Sequence, residues 1–178
     1  MKIEVINPNP QQFLAYIDNF LSDVEIDNFR RKSDEEFNFA QSDVLYRNNQ
    51  RGILVLPEIT STWFERCKEH LPDIGTWKLY MFDSVVKFYR YKKGEFFTWH
   101  KDQPIVGPEK SRSKSTILMY LSDGGSTEFD FKDGIVSSIE GKTGRAILFN
   151  HRILHRSPRL KVDNKVTCRL DILYKENV

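Results

Sequence analysis

Chemistry enters this chain at His100-Lys101-Asp102. A β-strand alternates its side chains between two faces, so residues two apart, such as His100 and Asp102, share one. An imidazole beside a carboxylate suits a divalent cation, but two ligands seldom complete a site. Two further histidines follow, His151 and His155, both just after the apolar run Ala146-Ile147-Leu148-Phe149. Two imidazoles and one carboxylate on one side of a cation leave its opposite positions open, the donor set of the Fe(II) facial triad. A lone His-x-Asp is a weak signal, because most such pairs are surface polar residues on half-exposed strands. The surrounding elements decide its weight.

Those elements divide into helices and then strands. Ser22-Asp23-Val24-Glu25 is a capping box, with Ser22 as N-cap and Glu25 reaching back. It opens a helix that turns Ile26, Phe29 and, further on, Phe37 toward a core. A second helix runs from Pro57, favoured at a first helical position, to about His70, with Ile59, Trp63, Phe64, Cys67 and Leu71 at helical spacing. After Leu71-Pro72-Asp73 the apolar period becomes two. The predicted strands are Trp77–Phe82, Val85–Tyr91, Phe97–Asp102, Ser115–Ser122, Thr127–Phe131, Ile135–Ile139, Arg145–Phe149 and Lys165–Tyr174. Glycine-containing turns punctuate them, as at Asp123-Gly124-Gly125 and Gly141-Lys142-Thr143-Gly144. The expectation is an α+β, mainly β domain: a jelly-roll core over about residues 76–178, buttressed by helical support over about 1–75.

Composition narrows the function classes. A chain of 178 residues, 39% of them apolar, suits one globular domain with a single core. A net charge of +2, from 27 basic and 25 acidic residues, argues for neither a nucleic-acid nor a membrane partner. Cys67 and Cys168 form no disulfide framework, no apolar run is long enough to span a bilayer, and Met1–Val5 lacks a signal-peptide core. A reducing, cytoplasmic setting is expected, which would also suit Fe(II).

The last strand carries two messages. One face reads Val166, Cys168, Leu170, Ile172, Tyr174, which wants a core. The other reads Lys165, Thr167, Arg169, Asp171, Leu173. On an edge strand that second face would meet solvent. Inside a barrel its charges must be paired or bound to something.

The chain resembles the prolyl 4-hydroxylase-like Fe(II)/2-oxoglutarate dioxygenases along nearly its whole length. The resemblance rests on Tyr91-x-x-Gly94-x-x-Phe97-x-x-His100-x-Asp102, on Gly124-Gly125-Ser126-Thr127-Glu128-Phe129, and on Gly144-Arg145-Ala146-Ile147-Leu148-Phe149 ahead of His155-x-Ser157-Pro158. Ile17-Asp18-Asn19-Phe20-Leu21-Ser22 resembles the start of that family's catalytic domain. Motifs in the right order are far more specific together than apart. The resemblance implies a double-stranded β-helix, with His100, Asp102 and His155 as catalytic metal ligands and His151 as structural or outer-sphere. It implies Fe(II), 2-oxoglutarate and O2, with ascorbate as a further candidate, and release of succinate and CO2 as a C–H bond is hydroxylated. Tyr120 stands where the family places a hydroxyl donor to the cosubstrate, and Tyr91 at the motif's own tyrosine. For the cation that holds the distal carboxylate, Lys165 stands ten residues after His155 and Arg169 fourteen. The preference falls on Arg169, since a mid-strand guanidinium has no route to water while a lysine stem near the strand's start does. Trp99, of opposite parity to His100, is expected to face away into apolar packing.

The substrate is the least determined feature. Lys110, Arg112 and Lys114, with Arg152, Arg156, Arg159 and Lys161, would rim the mouth and attract an acidic peptide or a carboxylated small molecule. Arg47-Asn48-Asn49-Gln50-Arg51 either touches substrate or braces the sheet. The reading favours hydroxylation of a protein side chain such as proline. A free amino acid or natural product is the close alternative, and a nucleic-acid demethylase a distant third, since Arg169 is followed six residues on by Lys175 rather than by a second arginine. A non-enzymatic jelly-roll binding module would require the triad to be accidental.

Overall fold

In the computed structural model the chain is described over residues 2–36, 45–132, 135–161 and 163–177. In chain order the elements are β1 (Ile3–Asn7), β2 (Leu14–Ile17), α1 (Asp23–Glu36), β3 (Gln50–Val55), α2 (Pro57–Cys67), β4 (Trp77–Phe82), β5 (Val85–Tyr91), β6 (Phe97–His100), β7 (Arg112–Tyr120), β8 (Ser126–Asp130), β9 (Val136–Glu140), β10 (Ala146–Asn150), β11 (Leu154–Ser157) and β12 (Lys165–Glu176). The position expected for Phe37 lies outside the described residues.

Two antiparallel sheets face each other, as a jelly roll requires. The larger runs β1-β2-β10-β7-β12-β5-β3, with β4 also paired to β12, and the smaller runs β6-β11-β8-β9. Strands of the first 75 residues join the large sheet, β2 beside β10 and β3 beside β5, so the N-terminal part is more than helical support. These strands escaped the sequence reading for a local reason. β3 is an edge strand whose outward positions Ile53 and Val55 are apolar, so Ile53-Leu54-Val55 shows no apolar/polar alternation in the sequence.

The helices cover the outer face of the large sheet. There Phe20, Ile26, Phe29 and Trp63 pack with Phe88, Ile117, Met119, Cys168, Leu170 and Ile172. The capping box forms as expected: the Ser22 N–H donates to Glu25 Oε2 at 2.8 Å, and the Glu25 N–H to Ser22 Oγ at 3.3 Å. The same carboxylate accepts from Trp63 Nε1 and from both Arg66 terminal nitrogens of α2 at 2.9–3.0 Å, so one residue caps α1 and ties it to α2. No described helix is long and apolar enough to cross a membrane.

β12 is central, not an edge. Its apolar face packs under the helices, which leaves Lys165, Thr167, Arg169 and Asp171 between the sheets. Its charged side is therefore an interior lining.

Candidate metal centre

Cross-strand register assembles the centre. β11 pairs with β6 so that His155 stands opposite His100, their ring centroids 4.2 Å apart. β6 ends at His100, and Asp102 follows two residues on, outside any strand. His100, Asp102 and His155 each place one ligand atom within 4.8 Å of the others. His151 is not in that group: it sits in the turn after β10, its Nε2 3.3 Å from Asp171 Oδ1 but not angled as a hydrogen bond.

Second contacts orient the ligands. His100 Nδ1 lies 2.8 Å from the Thr98 carbonyl and His155 Nδ1 lies 3.1 Å from the Ile153 carbonyl. A carbonyl only accepts, so in each ring Nδ1 carries the proton and Nε2 presents its lone pair to the cluster. Rings hold the planes. Phe97 stacks on His100 at 3.6 Å and 12°, and Phe149 meets His155 edge-on at 4.6 Å. Burial, reinforced by the neighbouring His155, pushes His100 down to about 3, and burial likewise lowers His155. Both rings are thus neutral at physiological pH, as metal ligation needs. Burial would raise the Asp102 carboxyl, but the facing Arg169 and the nearby histidines carry it well below the usual carboxylate range. Asp102 Oδ2 accepts from Thr116 Oγ1 at 2.6 Å and lies 2.5 Å from Arg169 Nη1.

Arg169 and Lys165 behave differently from expectation. Arg169 does point inward, but carboxylates already meet it: Asp102, and Asp171 Oδ1 at 3.9 Å, with the Tyr89 hydroxyl at 3.3 Å. Lys165 has no route to water, being 2% exposed. Its ammonium donates to the Ser126 carbonyl at 2.5 Å and to Ser157 Oγ at 2.8 Å, and lies 5.2 and 5.4 Å from the Tyr91 and Tyr120 ring centroids. Among the described residues no carboxylate pairs with it. Glu128, the acidic side chain felt there, is held by Arg156 at 2.6 Å. Burial pushes the Lys165 amine down to about 7. The ground for preferring Arg169 over Lys165 therefore does not hold in this fold, because the unmatched buried cation is Lys165.

A pocket runs from the histidines to that ammonium, lined by Tyr89, Tyr91, Phe97, Thr127, Lys165 and Arg169 among others. Its free volume is about 40 Å³, room for little more than a few waters, so a larger guest requires lining side chains to move aside. Tyr91 lines it, with its hydroxyl bonded to Ser157. Tyr120 lies behind the lining, its hydroxyl 2.7 Å from Thr127 Oγ1, so Thr127 is the hydroxyl that reaches the pocket. Trp99 is half-buried with the Arg156 guanidinium 4.5 Å from its ring centroid, not packed in an apolar core. Arg47 bridges by backbone to Phe97, and its guanidinium lies 5.1 Å from that ring. Asn48 Oδ1 accepts from the Phe96 N–H. Of the polar block Arg47 to Arg51, Arg47 and Asn48 thus contact β6 and the residue before it, while Gln50 and Arg51 belong to β3.

Sequence reasoning missed Tyr89, Thr116 and Ser157. The usable signal for the first two is register: Tyr89 and Thr116 stand opposite Thr167 and Asp171, both on the polar face of β12.

Residues 86–170 match the family model described as the 2OG-Fe(II) oxygenase superfamily. No curated protein matches by sequence. Among solved structures, the viral collagen prolyl hydroxylase of Paramecium Bursaria Chlorella virus-1, in its 2OG complex, is similar with a TM-score of 0.67 at 21% identity, over 90% of this chain and 95% of that one. A Pseudomonas putida prolyl-4-hydroxylase is similar at 0.65 and 17%, over 89% and 91%. The prolyl hydroxylase of Trichoplax adhaerens, solved with a hypoxia inducible factor oxygen degradation domain peptide fragment, is similar at 0.60 and 16%, over 89% and 83%. At such identities the likeness is one of fold.

Proposed function

We propose that this protein, a 2-oxoglutarate- and Fe(II)-dependent oxygenase resembling the prolyl 4-hydroxylases, hydroxylates an unactivated C–H bond of a protein side chain such as proline. His100, Asp102 and His155 would hold Fe(II), and Lys165 the distal carboxylate of 2-oxoglutarate, with Thr127, Tyr91 and Ser157 beside it. The observation that carries this reading is the buried Lys165 ammonium, which lacks a carboxylate in a pocket that it shares with His100 and His155, two of the three metal-competent ligands. An unpaired buried charge costs several kcal/mol, and a dianionic cosubstrate supplies what is missing.

When bound, Fe(II) would activate O2, the oxidant, while 2-oxoglutarate would give up two electrons and leave as succinate and CO2, one oxygen atom going to succinate and the other to the hydroxylated C–H bond. The chain's own residues do the rest by geometry and charge. The two Nδ1–H···O=C bonds aim the imidazoles, and Thr116 and Arg169 fix the Asp102 carboxylate so that its other oxygen stays available. Phe97, Phe129 and Phe149 around the histidines exclude water from the reacting side.

The test is succinate release by the purified protein with Fe(II) and 2-oxoglutarate, screened over proline-containing peptides, free amino acids and methylated oligonucleotides. Mass spectrometry then looks for one gained oxygen. The expected outcome is stimulation and oxygen gain on a peptide. Turnover stimulated by methylated oligonucleotides alone would overturn the reading.

A further inference from the structure

A second cleft borders the centre from another side. It holds about 550 Å³ and shares none of its lining with the Lys165 pocket, yet Asp102 and His151 form part of its wall. Four cations from three separate segments line it: Lys101 after β6, Arg112 and Lys114 from the start of β7, and Arg152 in the turn between β10 and β11. Among the described residues none of the four makes an ion pair. Lys114 is partly desolvated, and burial together with Arg112 and Arg152 holds its amine below its ordinary value while Glu176 pulls the other way. Like charges gathered in excess of their counterions repel one another, and an arriving anion relieves that cost.

The second observation is His151. It is 7% exposed and lines this cleft; its Nε2 lies 3.3 Å from Asp171 Oδ1, whereas its Nδ1 has no hydrogen-bond partner among the described residues. A buried polar group left unsatisfied is costly, and a peptide group hydrogen-bonding to the unpartnered Nδ1 would recover that cost.

We propose that this cleft seats an acidic peptide segment flanking the residue to be hydroxylated. The inference rests on the hydroxylase reading above and gives its substrate a charge. The cleft is open and polar, with its cations spread over three segments, whereas a site for one small molecule is enclosed and mainly apolar. A nucleic-acid groove would pair its cations with free aromatic faces for base stacking. Here the aromatic side chain, Trp77, has the Lys114 ammonium 3.7 Å from its ring centroid.

The experiment measures binding directly, by fluorescence polarisation of labelled proline-containing peptides whose flanks are glutamate, glutamine or lysine. The full chain is used with Mn(II) and 2-oxoglutarate. The glutamate peptide is expected to bind at least tenfold more tightly than the glutamine peptide, with an advantage that shrinks as salt is raised. The double variant R112E/K114E should abolish or invert that preference and leave peptide-independent succinate release unchanged. Arg152→Gln is the milder second variant, expected to weaken the glutamate peptide alone. Equal binding of the three peptides, or a preference untouched by both variants, overturns the proposal. So does a single-stranded oligonucleotide or free glutamate competing at lower concentration than the peptide. Tight, charge-selective binding with no oxygen gain would support the cleft and count against the hydroxylase reading. Peptide hydroxylation with no charge preference would do the reverse.

Discussion

Lys165→Met separates the two cations that face the interior. In the wild-type protein the ammonium is buried among a carbonyl, a hydroxyl and two aromatic rings, and on the proposed reading its partner would be the distal carboxylate of 2-oxoglutarate. Removing one member of a buried charge pair costs roughly 3–5 kcal/mol, which at about 1.4 kcal/mol per tenfold predicts a loss of two to nearly four powers of ten in cosubstrate affinity. The pH dependence adds a second signature. Burial lowers the amine from 10.5 to about 7 in the ligand-free fold, so the unfolded chain binds more protons between those values. Stability of the ligand-free protein should therefore rise as pH climbs through that window, and 2-oxoglutarate affinity should fall across it by at most about tenfold per pH unit. Methionine abolishes both trends. Titration calorimetry with Mn(II) in place of iron reads the affinity, and thermal melts from pH 7 to 10 read the stability. Arg169→Met is the control: it removes the countercharge of Asp102, so it should weaken metal binding by about 10–100-fold, more than it weakens the cosubstrate. Unchanged cosubstrate affinity in Lys165→Met, with the large loss confined to Arg169→Met, would refute the reasoning.

The other expectations follow from single residues. Alanine at His100, Asp102 or His155 should abolish Mn(II) binding, read by electron paramagnetic resonance, and 2-oxoglutarate turnover, with the circular dichroism spectrum kept. His151→Ala should retain metal binding, and the opposite result for His151 and His155 would reassign the ligand. Burial works against the Glu25 carboxylate, but Arg66, the Ser22 N–H and Trp63 hold it down at about 2, so its contribution is present above the ordinary value of 4.5 and is lost as pH falls from there toward 2. Glu25→Ala should cost about 2 kcal/mol at neutral pH in chemical denaturation, and little near pH 2. At Gly141 an added Cβ would stand 2.4 Å from the Gly124 carbonyl oxygen and 2.5 Å from the Tyr120 ring. Gly141→Ala should cost about 1–3 kcal/mol, at about 2–4 °C of melting temperature for each.

Local pattern carried a large share of this protein. Period-two alternation placed β4 and β5 and nearly all of β12, and Ser22 to Glu25 announced the start of α1. Strand parity suggested His100 and Asp102 as a pair, which the fold brings together although β6 ends at His100, while the choice of His155 over His151 came from the family resemblance. These features depend on neighbours a few residues apart, where backbone geometry dictates which face a side chain takes. The edge strand β3 and the four-residue β11 stayed hidden, because neither repeats its pattern long enough to stand out. The roles of the interior cations were hidden for a different reason. Whether Arg169 needed a ligand depended on Asp102, 67 residues away in sequence, and whether Lys165 reached water depended on β8 and β11 closing over it. Sequence shows that a charge faces inward. Only the packing of one sheet against the other decides whether a carboxylate of the chain's own waits there, because burial and pairing are set by non-local contacts.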